Sequence, residues 1–201
     1  LDRRDERYYG LFRELTPQSA ECAPRDVTSA AWGLVWLYNT TGEREYLDRA
    51  DIFGQWHLNH AMVGGWPRWA LYMNGAVPDM YAQGCFQSGT GLFYHDLFMA
   101  GGNAQYIERG LRPIAVGYRD RFFNPDGSVI GRREAFSGRV PPGTGDPAKP
   151  EGNDDFGAAM LQAAADFFRD ESFREKARDF ARHLAARQDA DFMQIAELYA
   201  G

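Results

Sequence analysis

The chain has 201 residues, of which 44% are hydrophobic and 25% are charged, so it lies in the range of ordinary globular proteins. A single domain spanning residues 1–201 is expected. The net charge of −6 argues against a nucleic-acid partner, because such binding needs a basic surface that displaces counterions. No apolar run reaches the ~18 residues that a membrane-spanning helix needs, so no membrane partner is expected. These properties fit a soluble protein, either cytoplasmic or exported.

The sequence also lacks the common signatures of cofactor and metal sites. Its two cysteines, Cys22 and Cys85, are too few for a disulfide scaffold, and their spacing matches no metal-binding motif. It contains no glycine-rich phosphate loop, no nucleophile elbow and no His-Glu-x-x-His motif. We therefore expect no cofactor and no metal, and neither a serine nor a cysteine hydrolase.

The first clear helical pair lies between residues 28 and 60. Apolar residues surround 28–38 almost completely, which predicts an inner helix buried on most sides. In 43–60, Tyr46, Ala50 and Trp56 recur on one side and charged residues on the other, the pattern of an outer amphipathic helix. A partial helix is predicted ahead of this pair, over residues 4–15.

The stretch 61–84 is predicted to be an irregular loop, because it begins with a Gly-Gly-Trp-Pro turn. Its aromatic residues include Trp66, Trp69, Tyr72 and Tyr81. Long loops inside a compact domain are often functional, and aromatic rings offer large flat faces. This loop is therefore predicted to be a binding surface.

The same alternation of inner and outer helices recurs over 89–100 and 104–122, and again over 156–168 and 172–186. Pro113 is expected to kink or divide the second outer helix, because proline cannot donate a helical hydrogen bond. Between these pairs, 124–152 is predicted to be another irregular loop, since it is rich in proline and glycine. A second partial helix is predicted over 192–199.

An internal repeat unites the three helical pairs. Tyr46, Tyr106 and Phe173 occupy equivalent positions, each followed by charged residues and, four positions on, by a small residue. Their numbers are 60 and then 67 apart. Such a period, with two helices in each unit, is typical of stacked helical hairpins, which bury their apolar faces against one another. The predicted fold class is all-α, with at least three helical hairpins.

The repeat resembles the (α/α)-toroid carbohydrate-active enzymes. The features that carry the resemblance are the Thr-Gly-Glu-x-x-Tyr-Leu-x-x-Ala break at residues 41–50 and the Gly-Gly-Trp-Pro turn at 64–67. This group includes the six-hairpin glycosidases, among them the unsaturated glucuronyl hydrolases, and related lyases and sugar epimerases. A closed six-hairpin ring of this period needs roughly 350 residues. We therefore expect an incomplete ring or a fragment, completed by self-association or by further polypeptide.

The resemblance implies a sugar site at the mouth of the ring, where the inner helices begin, with acidic working residues. Those positions are Asp26 in the first hairpin, Gln87 in the second, and Asp154 and Asp155 in the third. An aspartate at a helix start can also serve as an N-cap, and this alternative stays open, above all for Asp26. Two adjacent carboxylates at a buried mouth would raise one pKa, as an acid catalyst requires.

Further candidates come from the second hairpin and the aromatic loop. His95 is a candidate catalytic residue, with a histidine satisfied in the core as the alternative. Arg68 would bind an acidic sugar through two parallel hydrogen bonds, unless it is an ordinary exposed arginine. His57 and His60, three positions apart, would suit a metal, but no third ligand is evident. The candidate substrate-binding residues are Trp66, Arg68, Trp69, Tyr72, Tyr81 and Gln87.

Three functions remain open. The resemblance implies first a glycoside hydrolase acting on an oligosaccharide, because cleavage of a glycosidic bond needs one protonated and one ionised carboxyl group. The second is a polysaccharide lyase or sugar epimerase, in which His95, Tyr94 and Arg68 would matter more than the aspartates. The third is a non-catalytic helical-repeat module that binds a glycan or a protein.

Overall fold

The computed structural model describes residues 9–12, 21–22, 24–68, 71–72, 82–84, 87–125, 132–134 and 156–186. Two π-helical segments accompany the α-helices: His57–Ala61 continues the second helix, and Tyr106–Leu111 leads into the fourth. The α-helices of the described residues are α1 (Pro24–Thr41), α2 (Arg44–Trp56), α3 (Ser88–Gly101), α4 (Arg112–Arg121), α5 (Gly157–Phe168) and α6 (Glu171–Ala186).

Each inner helix is followed by a residue in the left-handed conformation, and the chain then enters an outer helix. Gly42, Gly102 and Arg169 have φ angles of 75°, 77° and 55°. A left-handed residue places its backbone N–H so that it donates to a carbonyl of the last helical turn. At the end of α3, for example, the Gly102 N–H donates to the Phe98 carbonyl at 2.7 Å. These residues repeat the spacing of the sequence pattern, 60 and then 67 positions. The hairpins α1–α2, α3–α4 and α5–α6 confirm the predicted fold class.

The hairpins pack side by side in chain order. The inner helix α1 packs against α3, and α3 against α5, while every outer helix packs on its own inner helix. Fully buried aromatic rings such as those of Phe53, Phe93 and Tyr118 fill the space between the layers. Among the repeat positions, Tyr106 and Phe173 are buried and Tyr46 is half-buried. This burial of apolar faces, more than helix propensity, stabilises helices of such length.

The predicted break in the second outer helix is present. The π-helical segment ends at Leu111, and α4 begins at Arg112 with Pro113 in its first turn. Proline is tolerated there because the first N–H groups of a helix have no intrahelical partner. None of the helices in the described residues is long and apolar enough to span a bilayer.

Two expectations are corrected. Residues 9–12, inside the predicted helix 4–15, are not helical: residues 9–10 form a turn with Gly10 at φ 110°, and the ring of Phe12 stacks on that of Phe53 with centroids 5.2 Å apart. The inner helix α1 is also less buried than predicted, since Trp36 is 58% exposed and Leu37 44% exposed. At the repeat position equivalent to Leu37, Leu97 is fully buried because it packs on Gly54 of the preceding hairpin. In the described residues, no hairpin precedes α1 and covers Leu37.

Short antiparallel strands occur ahead of α1 and in the connections from an outer helix to the next inner helix, a feature the sequence did not predict. Within the described residues there are three pairs: Glu21–Cys22 (β1) with Leu71–Tyr72 (β4), Met62–Val63 (β2) with Trp66–Pro67 (β3), and Ala82–Gly84 (β5) with Arg132–Glu134 (β6). The last pair joins the stretches 61–84 and 124–152. These pairs therefore gather at the end of the bundle where the inner helices begin.

Candidate active site on the inner helices

Two neighbouring inner helices bring an indole, a carboxylate and an imidazole together. The Trp32 Nε1–H on α1 donates to Asp96 Oδ2 on α3 at 2.7 Å. The other carboxylate oxygen, Asp96 Oδ1, lies 2.9 Å from His95 Nδ1. The side chains of His95 and Asp96 are 24% and 29% exposed, so the pair is partly sheltered yet open to a small molecule.

Hydrogen bonds keep the Asp96 carboxylate ionised. Burial by itself would raise the pKa of Asp96, but hydrogen bonds from His95 and Trp32, with a smaller one from Trp36, outweigh it and lower that pKa. An ionised carboxylate can only accept, so the Nδ1 atom of His95 carries the proton and donates it to Asp96. In the neutral imidazole, Nε2 then holds the free lone pair. This arrangement suits a general base oriented by a carboxylate.

Further aromatic rings pack on Trp32, the indole that binds Asp96. The rings of Trp36 and Phe156 approach the Trp32 ring edge-on, with centroids 5.4 and 5.3 Å away. Trp36 is 58% exposed and Phe156 45% exposed. Sugars present C–H faces that stack on such rings. A tryptophan ring also carries an N–H group that can donate a hydrogen bond. We call Trp32, Trp36, His95, Asp96 and Phe156 the inner-helix cluster.

The carboxylates of the predicted acidic residues are not among the described groups. Asp26 is in the first turn of α1, and its side chain is not described. Asp154 and Asp155 lie outside the described residues. Phe156, which follows Asp155 directly, contacts Trp32 of the inner-helix cluster. The role of these three aspartates therefore stays a prediction.

Of the predicted aromatic surface, the described residues place Trp66 in the core and Arg68 beside it in sequence. Trp66 is only 3% exposed, with its ring stacked on Phe122 at 5.1 Å and packed against Gly117 of the outer helix α4. Its ring has no face open to a sugar in this arrangement. Arg68 follows β3 and is half-buried, and its backbone N–H donates to the Ala61 carbonyl at 2.7 Å.

The remaining members of that surface are only partly described. Tyr72 pairs through its backbone with Glu21, and its ring is not described. Trp69 and Tyr81 lie outside the described residues. The sugar-binding role of Trp69, Tyr72 and Tyr81 therefore stays a prediction.

Gln87 is the described polar residue at the start of α3. It is the N-cap residue, and its side chain is completely buried. Within the described part of the chain, neither Nε2 nor Oε1 of Gln87 has a hydrogen-bond partner. A buried amide without partners costs free energy, which makes Gln87 a reasonable contact for a polar ligand.

The two histidines with metal-ligand spacing, His57 and His60, lie in different surroundings. His57 is fully buried, with Nδ1 2.6 Å from the Tyr94 hydroxyl, whereas His60 is exposed and stacks on Trp56. The described residues contain no group of three histidine, cysteine or acidic side chains able to hold a metal ion. Tyr94 is fully buried as well, so its hydroxyl cannot serve as a base on the inner face.

Sequence reasoning singled out His95 but not its partners. Asp96 is adjacent to His95, and neighbours on a helix normally point about 100° apart, which gave no reason to pair them. Trp32 and Trp36 were interpreted as core residues of a buried helix. The sequence feature that could have pointed to a shared role is their spacing of four residues, which places both tryptophans on one face of the helix.

Comparison with known proteins gives a structural likeness and no sequence match. No protein-family model and no curated protein matches the sequence. Among solved structures, the chain is similar to a D-mannose isomerase, with 16% identity and a TM-score of 0.64. It is also similar to a sugar epimerase from a ruminal bacterium, with 16% identity and a TM-score of 0.68. A third likeness is to the GH76 α-mannanase of Bacteroides thetaiotaomicron, with 14% identity and a TM-score of 0.67.

These matches cover 84%, 84% and 86% of this chain but 42%, 46% and 46% of the three structures, in the same order. The chain thus spans less than half the length of the structures that it matches. At this level of identity the likeness establishes the fold alone. All three are (α/α)-toroid enzymes, so this chain has the helical-hairpin arrangement of an (α/α) toroid.

Proposed function

We propose that the protein is a carbohydrate-active enzyme whose site includes the inner-helix cluster. Two independent observations support this proposal. The cluster combines exposed aromatic rings with an oriented imidazole, which suits a sugar and a proton transfer. The toroids that the chain resembles are named as a sugar isomerase, a sugar epimerase and a mannanase.

The reaction that the cluster supports best is proton transfer beside a sugar carbonyl, the chemistry of an isomerase or epimerase. The observation that carries this choice is the 2.9 Å contact between His95 Nδ1 and Asp96 Oδ1, which leaves His95 Nε2 as a proton acceptor. In an open-chain sugar, the carbonyl acidifies the neighbouring C–H bond. His95 removes that proton, and the electron pair of the broken C–H bond moves toward the carbonyl oxygen to give an enediol. Return of the proton to the opposite face of the same carbon restores the carbonyl and gives the epimer. Delivery of the proton to the former carbonyl carbon, with the proton of the neighbouring hydroxyl group passing to the former carbonyl oxygen, gives the isomer.

Asp96 is poorly suited to the acid role of a glycoside hydrolase. That role needs a carboxyl group that stays protonated near neutral pH. The pKa of Asp96 is instead lowered by its hydrogen bonds, and both carboxylate oxygens are already engaged by Trp32 and His95. Asp96 therefore orients His95 in this proposal and donates no proton to a leaving group.

A glycoside hydrolase is the second candidate, and one specific observation favours it. Phe156 packs on Trp32, so the preceding residues Asp154 and Asp155 are close along the chain to the inner-helix cluster. In this version Asp154 and Asp155 act as acid and base, with Asp26 at the neighbouring helix start. Substrate contacts would come from Trp69, Tyr72, Tyr81 and Gln87.

One experiment separates the candidates. The chain is incubated in D2O with D-mannose, D-glucose, D-fructose and manno- and cello-oligosaccharides, and is followed by NMR. Deuterium entering the carbon beside the carbonyl, together with a new epimer or ketose, supports the isomerase or epimerase. Release of new reducing ends supports the hydrolase.

Variants then assign the residues. We expect His95→Gln to abolish deuterium incorporation, while the matched control His60→Gln, at an exposed histidine outside the cluster, retains it. Asp154→Asn and Asp155→Asn should matter only for hydrolysis. Full activity in His95→Gln would refute the role of His95. Glycan binding without turnover in the unmodified chain would favour the non-catalytic module.

A further inference from the structure

We infer that Trp32 is a positioning residue, which holds the Asp96 carboxylate so that His95 keeps a single tautomer with Nε2 free. This inference rests on the proposed role of His95 and extends it to a residue on a different hairpin. Trp32 fixes the orientation of the Asp96 carboxylate, which the contact with His95 inside α3 does not fix by itself.

The geometry of a helix explains why Asp96 needs an external support. Side chains of adjacent helical residues leave the axis about 100° apart, so His95 and Asp96 do not face each other by default. Their 2.9 Å contact requires the carboxylate to turn sideways along the helix surface. At 29% exposure, the same carboxylate has access to water, which competes for its oxygens.

Trp32 supplies that support from the neighbouring hairpin. Its Nε1–H donates to Asp96 Oδ2 at 2.7 Å, a short distance for such a bond and typical of a charged acceptor. A carboxylate is planar, so fixing Oδ2 toward α1 also fixes the direction of Oδ1. Oδ1 then points to His95 Nδ1, and the proton of the neutral ring stays on that nitrogen.

The Trp32 ring is itself held by its neighbours. Trp36 and Phe156 pack against it edge-on, so its N–H direction is set by contacts from α1 and from the residue preceding α5. The groups that act on Asp96 are His95 on its own helix and the neutral indoles of Trp32 and Trp36 on α1. Of the two indoles, Trp32 contributes the stronger hydrogen bond.

NMR of the free protein tests this inference without any substrate. In Trp32→Phe, the ring remains but the N–H donor is lost. We expect the carboxyl ¹³C titration of Asp96 to move to higher pH, because the ionised form loses a donor. We also expect the ¹⁵N signals of neutral His95 to change from a single tautomer with Nδ1 protonated to a mixture. Trp36→Phe is the matched control, with the smaller effect on both signals.

Two further measurements keep the test decisive. In the unmodified chain, the Trp32 Nε1–H signal should shift with the same midpoint as the Asp96 carboxyl group, a result that needs no variant to fold. Asp96→Asn should reproduce the mixture of His95 tautomers. The inference would be overturned if His95 kept a single tautomer in a folded Trp32→Phe variant. It would also be overturned if the Trp32 Nε1–H signal did not shift as Asp96 titrates. If the spectra change as expected but His95→Gln stays active, the proposed function fails while the positioning role of Trp32 stands.

Discussion

The Nδ1 atom of His57 lies 2.6 Å from the hydroxyl oxygen of Tyr94, inside the core between the first two hairpins. Both side chains are fully buried, and the neutral imidazole accepts at Nδ1 a hydrogen bond that the Tyr94 hydroxyl donates. Burial lowers the pKa of His57 from 6.5 to about 3 and raises the pKa of Tyr94 well above its ordinary value. The pair is therefore neutral in the folded protein across the physiological range.

We predict that this histidine makes the fold sensitive to acid. Between pH 6.5 and about 3, His57 binds a proton in the unfolded chain but not in the folded one, so acid favours unfolding. The free energy of unfolding should therefore fall by up to about 1.4 kcal/mol for each pH unit in this window. Urea unfolding at several pH values, compared between the unmodified chain and His57→Gln, measures the effect. Glutamine does not titrate, so equal slopes in the two proteins would contradict the prediction.

We predict opposite effects for two glycine-to-alanine changes in helical segments. At Gly110, a new Cβ would lie 2.5 Å from the Tyr94 ring, and we expect a loss of about 1–3 kcal/mol of stability from overpacking. At Gly33, nothing lies within 4 Å of a new Cβ. Gly33→Ala should therefore gain up to about 1 kcal/mol from helix propensity. Chemical denaturation of both variants tests this contrast, which fails if Gly110→Ala is as stable as the unmodified chain.

The end of α5 offers a stabilising substitution. Arg169 adopts the left-handed conformation, with φ 55°, which costs a residue with a Cβ about 1–2 kcal/mol. Arg169→Gly relieves this strain but increases the entropy of the unfolded chain, so we expect a net gain of about 0.5–1 kcal/mol. Gly102 occupies the equivalent position after α3, and Gly102→Ala should lose stability by a similar amount. Thermal unfolding of the two variants should shift in opposite directions.

We predict that Trp66 acts in the core. Trp66→Ala should cost about 3–5 kcal/mol, because it empties the space between Phe122 and Gly117. Trp66→Phe should cost less, since the buried Nε1 of Trp66 has no hydrogen-bond partner in the described part of the chain. Denaturation curves and titration with manno-oligosaccharides measure both properties. A selective loss of sugar binding in Trp66→Phe, with stability retained, would instead support the role in the sugar site.

Much of the fold could be predicted because each hairpin carries its own signals. The apolar period of 172–186 predicted α6 to within one residue at its beginning, since an amphipathic face is written into consecutive residues. The Thr-Gly-Glu break that begins at residue 41 predicted the turn at Gly42, between α1 and α2, for the same reason. The pairing of β5 with β6 was not predictable, because those segments are about 50 residues apart and carry no alternating pattern.

The sequence by itself determined the hairpin repeat and the break between the inner and outer helix of each hairpin, because these depend on side chains within a few residues of one another. It also identified His95 as a candidate catalytic residue. Only the tertiary structure decided which partners His95 has. Asp96 turns toward it while bonded to Trp32, which is 64 residues away in sequence and adjacent only when α1 packs against α3. The same packing buried Trp66 behind α4 and left Trp36 exposed, since burial depends on which helices become neighbours and not on hydrophobicity alone.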